Sequence, residues 1–469
     1  MRKGETGAAA AGPGIGRRLA TGVGRCQRRG PMGAAEPRSQ AFGARGPLKG
    51  IARVPGDKSL SHRALMLAAL AVGRSRIEGL CDGADIAATA AALHAMGARI
   101  ETGSDGEMLV AGVGVGGLLQ PPGVLDLGNS GTSARLLAGI VASQDLRAVF
   151  TGDPSLSSRP MERVAAPLRR IGARIETSPG GTLPMVVAGA APAIARTHRL
   201  TLPSAQVKSA LLLAGLNAPG ITTVIEPIPT RDHTERLLEV FGAEIEAGRG
   251  EIRLRGEAEL RPQPLTIPGD FSAAAFLAVA ALVTPGSKLR IEEVGLNPRR
   301  TVLLEALRAM GADVEAAAAG EACGEPAGDL AVSHSALTGV DLPPELAASM
   351  IDEFPILFVA AAFAEGATRT RGLAELRVKE SDRLSSMAAA LRAIGARVEE
   401  HEDGLTIHGS GGEPLAGGAT VAAQGDHRVA MSLAVAGLHC AEPVGIDDMD
   451  CIATSFPGFA RALDALVRL

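Results

Sequence analysis

Basic and hydroxyl side chains stand together at short polar turns that each precede an apolar run. Lys58, Ser59 and Arg63 open one such run, and Ser59 and Arg63 are four residues apart, which places them on one helix face. A helix start also offers free backbone N–H groups and the positive end of the helix dipole. We interpret this turn as a candidate phosphate grip, although a solvated helix start would look the same when taken alone.

Similar turns recur along the chain. Gly131 lies in GNSGTS and has no Cβ, so a ligand can approach its backbone closely. Arg159 precedes Pro160, which favours the first position of a helix. If all these turns converge on one cleft, their Arg and Lys side chains can bind several carboxylates or phosphates. The other turns contain Ser204, Ala205, Gln206 and Lys208, then Lys379, Glu380 and Arg383, then Asp426, His427 and Arg428.

Two acids would stand among these cations. Asp352 lies in MIDEFP, and Glu380 follows Lys379. A carboxylate in such surroundings can transfer protons, or it can serve only as the ion-pair partner of an arginine, and spacing alone leaves both roles open. The chain contains no HExxH, Walker A or nucleophile-elbow motif, and none of its nine His residues forms a ligand pair at i, i+4, so we expect no metal.

Composition excludes several classes of protein. The formal net charge is −4 and the chain has no Trp or Tyr, so it lacks both the charge and the stacking surfaces of a nucleic-acid binder. The longest apolar run, Ala273 to Val283, is too short to cross a bilayer. Five scattered cysteines without a CxxC pair are typical of a reducing compartment. We therefore expect no nucleic-acid partner and no membrane partner.

Residues 1–46 differ from the rest of the chain. They hold nine Lys and Arg against two acids, are rich in Gly, Ala and Pro, and show no periodic apolar face. We expect a basic, disordered extension, or a start of translation near Met32, rather than a targeting peptide.

A repeat sets the organisation after residue 46. Five times, an apolar helix-like run ends in Gly-Ala and is followed at once by a short strand-like segment. Glycine is favoured just after a helix, where φ is positive, and the following branched residue favours a strand. With the C-terminal helix as a sixth copy, the pattern predicts an α/β protein of two domains with three units each. The five glycines are Gly97, Gly172, Gly242, Gly311 and Gly395.

From Leu48 to Leu469 the chain resembles the 5-enolpyruvylshikimate-3-phosphate synthase family in its bacterial class II form. The resemblance rests on motifs that match in order and spacing: DKSLSHRAL, LGNSGTSARLL, SLSSRPM, SAQVKSALLLAGL, RDHTE, MIDEFPIL, RVKESDRL and GDHRVAMS. It implies two similar domains, each of three βαβαββ units, arranged as an inside-out α/β barrel. One domain would comprise residues 47–55 with 269–469, the other residues 56–268, and their closure would assemble the cleft.

The resemblance also implies an activity. Such a transferase moves the enolpyruvyl group of phosphoenolpyruvate to the 5-hydroxyl of shikimate 3-phosphate and releases phosphate, in the shikimate pathway to chorismate and the aromatic amino acids. It implies no cofactor, a cytoplasmic monomer, and inhibition by glyphosate, which occupies the phosphoenolpyruvate subsite next to Gly131. A plastid location would follow only if residues 1–46 were a transit peptide.

Site roles follow from the resemblance residue by residue. Asp352 is the expected base, and Glu380 with Lys379 would manage the proton at the methylene carbon, with Lys58 also catalytic. Shikimate 3-phosphate would be held by Lys58, Ser59, Arg63, Ser204, Ala205, Gln206, Asp352 and Lys379. Phosphoenolpyruvate would be held by Lys58, Gly131, Arg159, Gln206, Arg383 and Arg428.

Three positions depart from the pattern common in relatives. Thr454 stands where many carry a Lys that contacts phosphoenolpyruvate, Glu375 replaces an Asn, and Leu136 replaces a Pro.

Two other functions stay open. The sister enzyme that uses UDP-N-acetylglucosamine generally carries a loop cysteine in a Gly-rich motif, and no cysteine here has such neighbours. A catalytically dead anion-binding homologue is opposed by the presence of Asp352 and Glu380.

Overall fold

The computed structural model describes residues 37–467 of the chain. It contains alternating helices and short strands, together with three 3-10 helices at Pro344–Leu346, Ala374–Val378 and Asp450–Thr454. The α-helices are α1 Lys58–Leu70, α2 Ala84–Ala95, α3 Gly131–Ala142, α4 Pro154–Ser158, α5 Glu162–Arg169, α6 Ala205–Gly215, α7 His233–Val240, α8 Phe271–Val283, α9 Val302–Ala309, α10 Ala347–Met350, α11 Phe354–Phe363, α12 Arg383–Ala393, α13 His427–Gly437 and α14 Phe459–Val467.

The strands are short and are distributed along the whole described chain. The first half contains β1 Gln40–Phe42, β2 Lys49–Ala52, β3 Val72–Glu78, β4 Arg99–Thr102, β5 Met108–Val113, β6 Leu125–Asp126, β7 Arg147–Thr151, β8 Arg174–Ser178, β9 Thr182–Ala188, β10 Thr197–Arg199, β11 Ile221–Ile225, β12 Ile245–Gly248 and β13 Glu251–Arg255. The second half contains β14 Pro264–Thr266, β15 Lys288–Gly295, β16 Asp313–Ala322, β17 Glu325–Ser333, β18 Ala367–Arg369, β19 Arg397–His401, β20 Gly404–His408, β21 Leu415–Gly417, β22 Thr420–Val421, β23 Cys440–Glu442 and β24 Val444–Ile446.

The strands pair in a pattern that repeats from unit to unit. In the sheet β6-β7-β9-β8, the first two strands are parallel and the last two pairings are antiparallel. A helix, α3, connects β6 to β7, and α5 lies between β7 and β8, so the order is βαβαββ. The same strand order recurs in β10-β11-β13-β12, in β14-β3-β5-β4 and in β2-β15-β17-β16.

Two kinds of helix alternate along the chain. The helix that enters each unit from a polar turn is buried on nearly all sides, and in α8 and α11 every residue is buried. The helix that follows leaves one side exposed and ends two or three residues before the repeated glycine. All five glycines have positive φ, between 86° and 108°, so the predicted helix C-termini are confirmed.

The buried residues form two apolar clusters. One contains residues of β1 and β2 and of the chain from Phe271 to Leu466, and we call the part of the chain packed on it lobe 1. The other contains buried residues from Leu60 to Ile267, joined by Cys323, and defines lobe 2. Helices α1, α3 and α6 pack together in lobe 2, and α8, α11 and α13 pack together in lobe 1.

The chain crosses between the lobes twice. Strand β2 pairs with β15 of lobe 1, and the next helix, α1, is buried in lobe 2. Strand β14 pairs in parallel with β3 of lobe 2, and α8 then enters lobe 1. Gly56 and Gly269 are bridged to each other at the two crossings. The residue bounds predicted for two domains bracket these crossings and stay a prediction.

The predicted disordered extension, residues 1–46, includes residues that belong to the folded protein. Strand β1 pairs antiparallel with β24, and Phe42 is fully buried in lobe 1. Arg45 adds an ion pair with Asp464 of α14. The prediction of disorder up to residue 46 is therefore wrong for residues 37–46, because one buried aromatic side chain is enough to bind this segment to the core. Residues 1–36 lie outside the described part of the chain.

No helix within residues 37–467 is long and apolar enough to cross a membrane.

Candidate active site

A cavity of about 420 Å³ lies between the lobes, at the N-termini of the buried helices. Every predicted site residue lines it except Arg383. N-cap residues hold these turns in place: the side chains of Asp57, Ser130 and Ser204 each accept a hydrogen bond from a backbone N–H of the first helical turn. The turns that the sequence spreads over more than 350 residues therefore meet at one place.

The start of α1 contributes two cationic side chains, Lys58 and Arg63, to the cavity. Nζ of Lys58 lies 2.6 Å from Oδ2 of Asp85. The Arg63 guanidinium donates to Thr234 Oγ1 at 2.7 Å and to Ser209 Oγ at 2.8 Å, which fixes its orientation. Burial, more than any neighbouring charge, lowers the pKa of Arg63 to about 10, so the group still stays charged at neutral pH.

Gly131 stands at the start of α3 beside two guanidinium groups. A Cβ at this position would lie 2.9 Å from Nη1 of Arg135 and 3.3 Å from Nη1 of Arg159. Arg135 also donates to Oε1 of Gln206 at 2.8 Å, and Gln206 donates to Oγ1 of Thr132 at 3.0 Å. The absence of a side chain at Gly131 therefore leaves room for Arg135 to hold the Gln206 carboxamide.

Arg159 reaches the cavity from a loop rather than from a helix entrance. It caps the C-terminus of the short helix α4, and α5 begins three residues later at Glu162, so Pro160 is not the first residue of a helix as the sequence suggested. Its guanidinium donates to the Asn129 carbonyl at 3.2 Å and lies 3.5 Å from Oε1 of Glu380. This last contact joins the two lobes.

Asp352 sits among cations in lobe 1. Its Oδ1 lies 3.3 Å from Nη1 of Arg383 and 3.7 Å from Nζ of Lys379, and Arg428 donates to its backbone carbonyl at 3.0 Å. Burial acts to raise the pKa of Asp352, but the positive charges of Lys379, Arg231, Arg428 and Arg383 outweigh it and hold that pKa well below its usual range. The carboxylate is therefore ionised at neutral pH.

Glu380 is ionised for a similar reason. Burial raises its pKa, and the charges of Arg383 and Arg159 outweigh that effect and lower the pKa well below the usual value. Arg383 is fully buried and lies behind the cavity wall, where it contacts Glu380 at 2.6 Å and Asp426 at 2.7 Å as well as Asp352. It joins both acids, and its predicted direct contact with phosphoenolpyruvate stays a prediction.

Several cavity residues were not among those predicted. Arg231, which belongs to the quoted RDHTE motif, donates to Oδ2 of Asp352 at 2.8 Å from the other lobe. Its motif was a sequence signal, but its partner was not visible there. Asp85, the partner of Lys58, lies within α2 and had no such signal. Arg135 was part of a quoted motif and is also a lining residue.

The three departures occupy different surroundings. Glu375 lines the cavity and pairs with Arg163 of lobe 2 at 2.6 Å, so it adds a further contact between the lobes. Leu136 is buried within α3 and belongs to the core. Thr454 ends a 3-10 helix, and its carbonyl lies so close to Gly83 that a Cβ there would be 2.4 Å away. Within the described residues, no group of three or more His, Cys, Asp or Glu side chains is arranged to hold a metal ion.

Comparison with known proteins agrees with the sequence motifs. The family model for EPSP synthase (3-phosphoshikimate 1-carboxyvinyltransferase) matches residues 43–463. The chain belongs to the EPSP synthase family. It is 59% identical over 441 residues to the 3-phosphoshikimate 1-carboxyvinyltransferase of Sphingopyxis alaskensis, which covers 92% of this chain and 98% of that protein. The corresponding protein of Novosphingobium aromaticivorans is 57% identical and covers 92% of this chain and 100% of its own length.

Solved structures of the family have the same fold. EPSP synthase from Acinetobacter baumannii superimposes with a TM-score of 0.81 at 44% identity, covering 91% of this chain and 98% of that one. The enolpyruvyl transferase NikO from Streptomyces tendae gives a TM-score of 0.72 at 22% identity, covering 92% of this chain and 98% of its own, and so shares the fold. The predicted α/β fold class of two similar three-unit halves is confirmed.

Proposed function

We propose that this chain catalyses the transfer of the enolpyruvyl group from phosphoenolpyruvate to the 5-hydroxyl of shikimate 3-phosphate. The observation that carries the proposal is the cavity itself, in which Arg and Lys side chains from separate segments of both lobes surround two ionised carboxylates. Two phosphates and two carboxylates arrive with the substrates, and Arg and Lys are the side chains suited to such anions. The family match and the high identity to proteins named for this reaction support the same conclusion.

The two substrates would divide the cavity between them. Shikimate 3-phosphate would lie against Lys58, Ser59 and Arg63 and the start of α6, with Lys379 on the opposite lobe. Phosphoenolpyruvate would lie against Gly131 and Arg159, with Arg428 opposite. Lys58 and Gln206 line the cavity between these two groups and would contact both substrates. Each substrate would thus contact both lobes, which favours closure.

The two carboxylates would handle the protons. Asp352 would accept the proton of the 5-hydroxyl as its oxygen forms a bond to C2 of phosphoenolpyruvate. Lys379 would donate a proton to the methylene carbon, giving a tetrahedral intermediate, and the ionised Glu380 would accept a proton from the resulting methyl group as phosphate leaves. The negative charge of the bound phosphates would offset part of the positive charge around Asp352, which raises its pKa and makes it a stronger base in the complex than in the free protein.

We further propose that the two lobes are two domains, one of residues 47–55 with 269–469, to which β1 adds a strand, and the other of residues 56–268. The separation of the buried residues into two apolar clusters supports this division. A monomeric state and a cytoplasmic location complete the proposal. No cofactor or metal is needed, because side chains supply all the positive charge that the reaction requires.

Phosphate release from phosphoenolpyruvate tests the reaction directly. The purified chain is incubated with phosphoenolpyruvate and one of three acceptors: shikimate 3-phosphate, unphosphorylated shikimate or UDP-N-acetylglucosamine. Release that depends on shikimate 3-phosphate alone supports the proposal. Release with UDP-N-acetylglucosamine would favour the sister reaction, and binding of shikimate 3-phosphate without any release would indicate a non-catalytic anion-binding protein. The same assay with a chelator present tests whether a metal is required.

A further inference from the structure

Lys208 is a cation that the cavity does not use. It lies in the second turn of α6, it does not line the cavity, and its side chain is completely buried. Its Nζ lies 2.9 Å from Oε2 of Glu226 and 2.7 Å from Oε1 of Glu235. Removing three charges from water is costly and often contributes no net stability, so such a cluster calls for a role other than holding the fold together.

Glu226 uses both of its carboxylate oxygens. While Oε2 faces Lys208, Oε1 accepts a hydrogen bond from the backbone N–H of Thr230 at 3.2 Å and another from Thr230 Oγ1. The intervening residues include Pro227 and Pro229, whose rings fix φ. Glu226 therefore closes the segment from 226 to 230 into a defined turn at the end of β11.

This turn places Arg231 where it contacts the other lobe. Arg231 follows Thr230 directly, and its Nη2 donates to Oδ2 of Asp352 at 2.8 Å. From lobe 1, Arg299 donates to the Thr230 carbonyl at 2.9 Å. The turn is thus held on the lobe 2 side by Glu226, which pairs with Lys208, and on the lobe 1 side by Arg299. Arg231 follows this doubly held turn directly in the chain.

Arg231 differs from the other cations around Asp352. Within residues 37–467, Lys379 and Arg383 contact Oδ1 and Arg428 contacts the backbone carbonyl, and all three belong to lobe 1. Arg231 comes from lobe 2 and contacts Oδ2. The direction in which the second carboxylate oxygen points therefore depends on a residue whose own position is set in the other lobe.

We propose that Glu226, held in place by Lys208, is a positioning residue that fixes Arg231 against Asp352 and so orients the base of the reaction. This inference rests on the proposed function. It assigns a role in turnover to a buried pair that contacts neither substrate.

Two isosteric variants separate positioning from simple charge balance. Glu226→Gln and Glu235→Gln each remove one of the two carboxylates that surround Lys208. A Gln at position 226 cannot accept hydrogen bonds at both ends, so either Thr230 loses its acceptor or Lys208 faces an amide NH₂ group. Glu235 contacts Lys208 but has no hydrogen bond to the turn among the described residues, which makes its variant the matched control.

We expect the kcat of Glu226→Gln to fall about tenfold while its KM for phosphoenolpyruvate changes less than about twofold. The kcat of Glu235→Gln should stay within about twofold of wild type, even if the melting temperatures of both variants fall by similar amounts. Equal losses of kcat in the two variants would overturn the inference, since charge balance would then explain both. Unchanged kcat in Glu226→Gln would overturn it as well.

Two further measurements cover the remaining outcomes. If Glu226→Gln does not fold, Thr230→Val is compared with Thr230→Ser, which keeps the hydroxyl; we expect the Ser variant to turn over several-fold faster, and equal rates contradict the inference. Crystal structures of the Gln variants give a readout independent of turnover. Arg231 should leave Asp352 only in Glu226→Gln, and a retained contact there overturns the inference whatever reaction the wild type catalyses.

Discussion

Gly131→Ala should weaken glyphosate binding more than it weakens phosphoenolpyruvate binding. The added methyl group would lie 2.9 Å from Nη1 of Arg135, whereas ordinary contacts begin near 3.4 Å, so the guanidinium must shift by about 0.5 Å. That shift disturbs the bond of Arg135 to Gln206 at the same time. The methyl group also takes space beside Arg159, in the proposed phosphoenolpyruvate subsite.

The size of the effect follows from overpacking. Inserting a methyl group into a tightly packed site costs roughly 1–3 kcal/mol, which corresponds to a roughly five- to hundredfold change in an equilibrium constant. The longer inhibitor must bear this clash fully, while the shorter substrate avoids part of it. The inhibition constant for glyphosate should therefore rise at least about fivefold more than the KM for phosphoenolpyruvate.

Steady-state kinetics with glyphosate varied against phosphoenolpyruvate measure both constants in each variant. Gly123→Ala is a suitable control, because no atom lies within 4 Å of the added Cβ at that position. It should leave both constants unchanged. Equal factors for inhibitor and substrate in Gly131→Ala would refute the steric argument. A wild type that already tolerates glyphosate would show that another position, such as Leu136 or Thr454, controls access.

Three other changes test separate parts of the molecule. Arg428→Ala should raise the KM for phosphoenolpyruvate roughly ten- to hundredfold and that for shikimate 3-phosphate much less, through loss of charge-assisted hydrogen bonds; equal changes in steady-state kinetics would place Arg428 outside the subsite. Glu380→Gln keeps the shape but loses the basic oxygen, so turnover should collapse while calorimetry still detects substrate binding, and retained turnover would reduce Glu380 to an ion-pair role. Phe42→Ala should lower the free energy of unfolding by about 3–5 kcal/mol, since this side chain is fully buried, and an unchanged denaturant midpoint would contradict the assignment of β1 to the core.

Local signals in the sequence located the ends of several helices. The repeated glycines mark helix C-termini because a positive φ is costly for other residues, and the Ser and Asp residues before the buried helices mark N-termini because they can accept the free N–H groups. The start of α11 lacks such a side-chain cap, and it was not identified from the sequence as a helix N-terminus. Arg159 was placed at a helix start because Pro160 follows it. In the structure Arg159 instead caps the C-terminus of α4, and the next helix, α5, begins only at Glu162.

The start of the folded part of the chain was predicted too late, because the segment that contains β1 gives no local signal of its own. Three residues of β1 have no periodicity that could be detected, and their partner strand β24 lies about 400 residues later in the chain. Only the packed structure shows that β1 joins the sheet β1-β24-β22 next to α13. Composition described the segment as basic and rich in Gly, Ala and Pro, but the burial of Phe42 depends on the surface that the rest of the chain offers to this one side chain.

The sequence by itself determined the residue types of the site, the turns that carry them and the family, because these depend on short spacings and on motif order. The tertiary structure decided which charges meet. Arg231 faces Asp352, Glu380 joins Arg159, and Lys208 turns away from the cavity toward Glu226. Such pairings join residues far apart in the chain, and Coulomb energies depend on distances of a few ångströms and on burial, neither of which a linear sequence specifies.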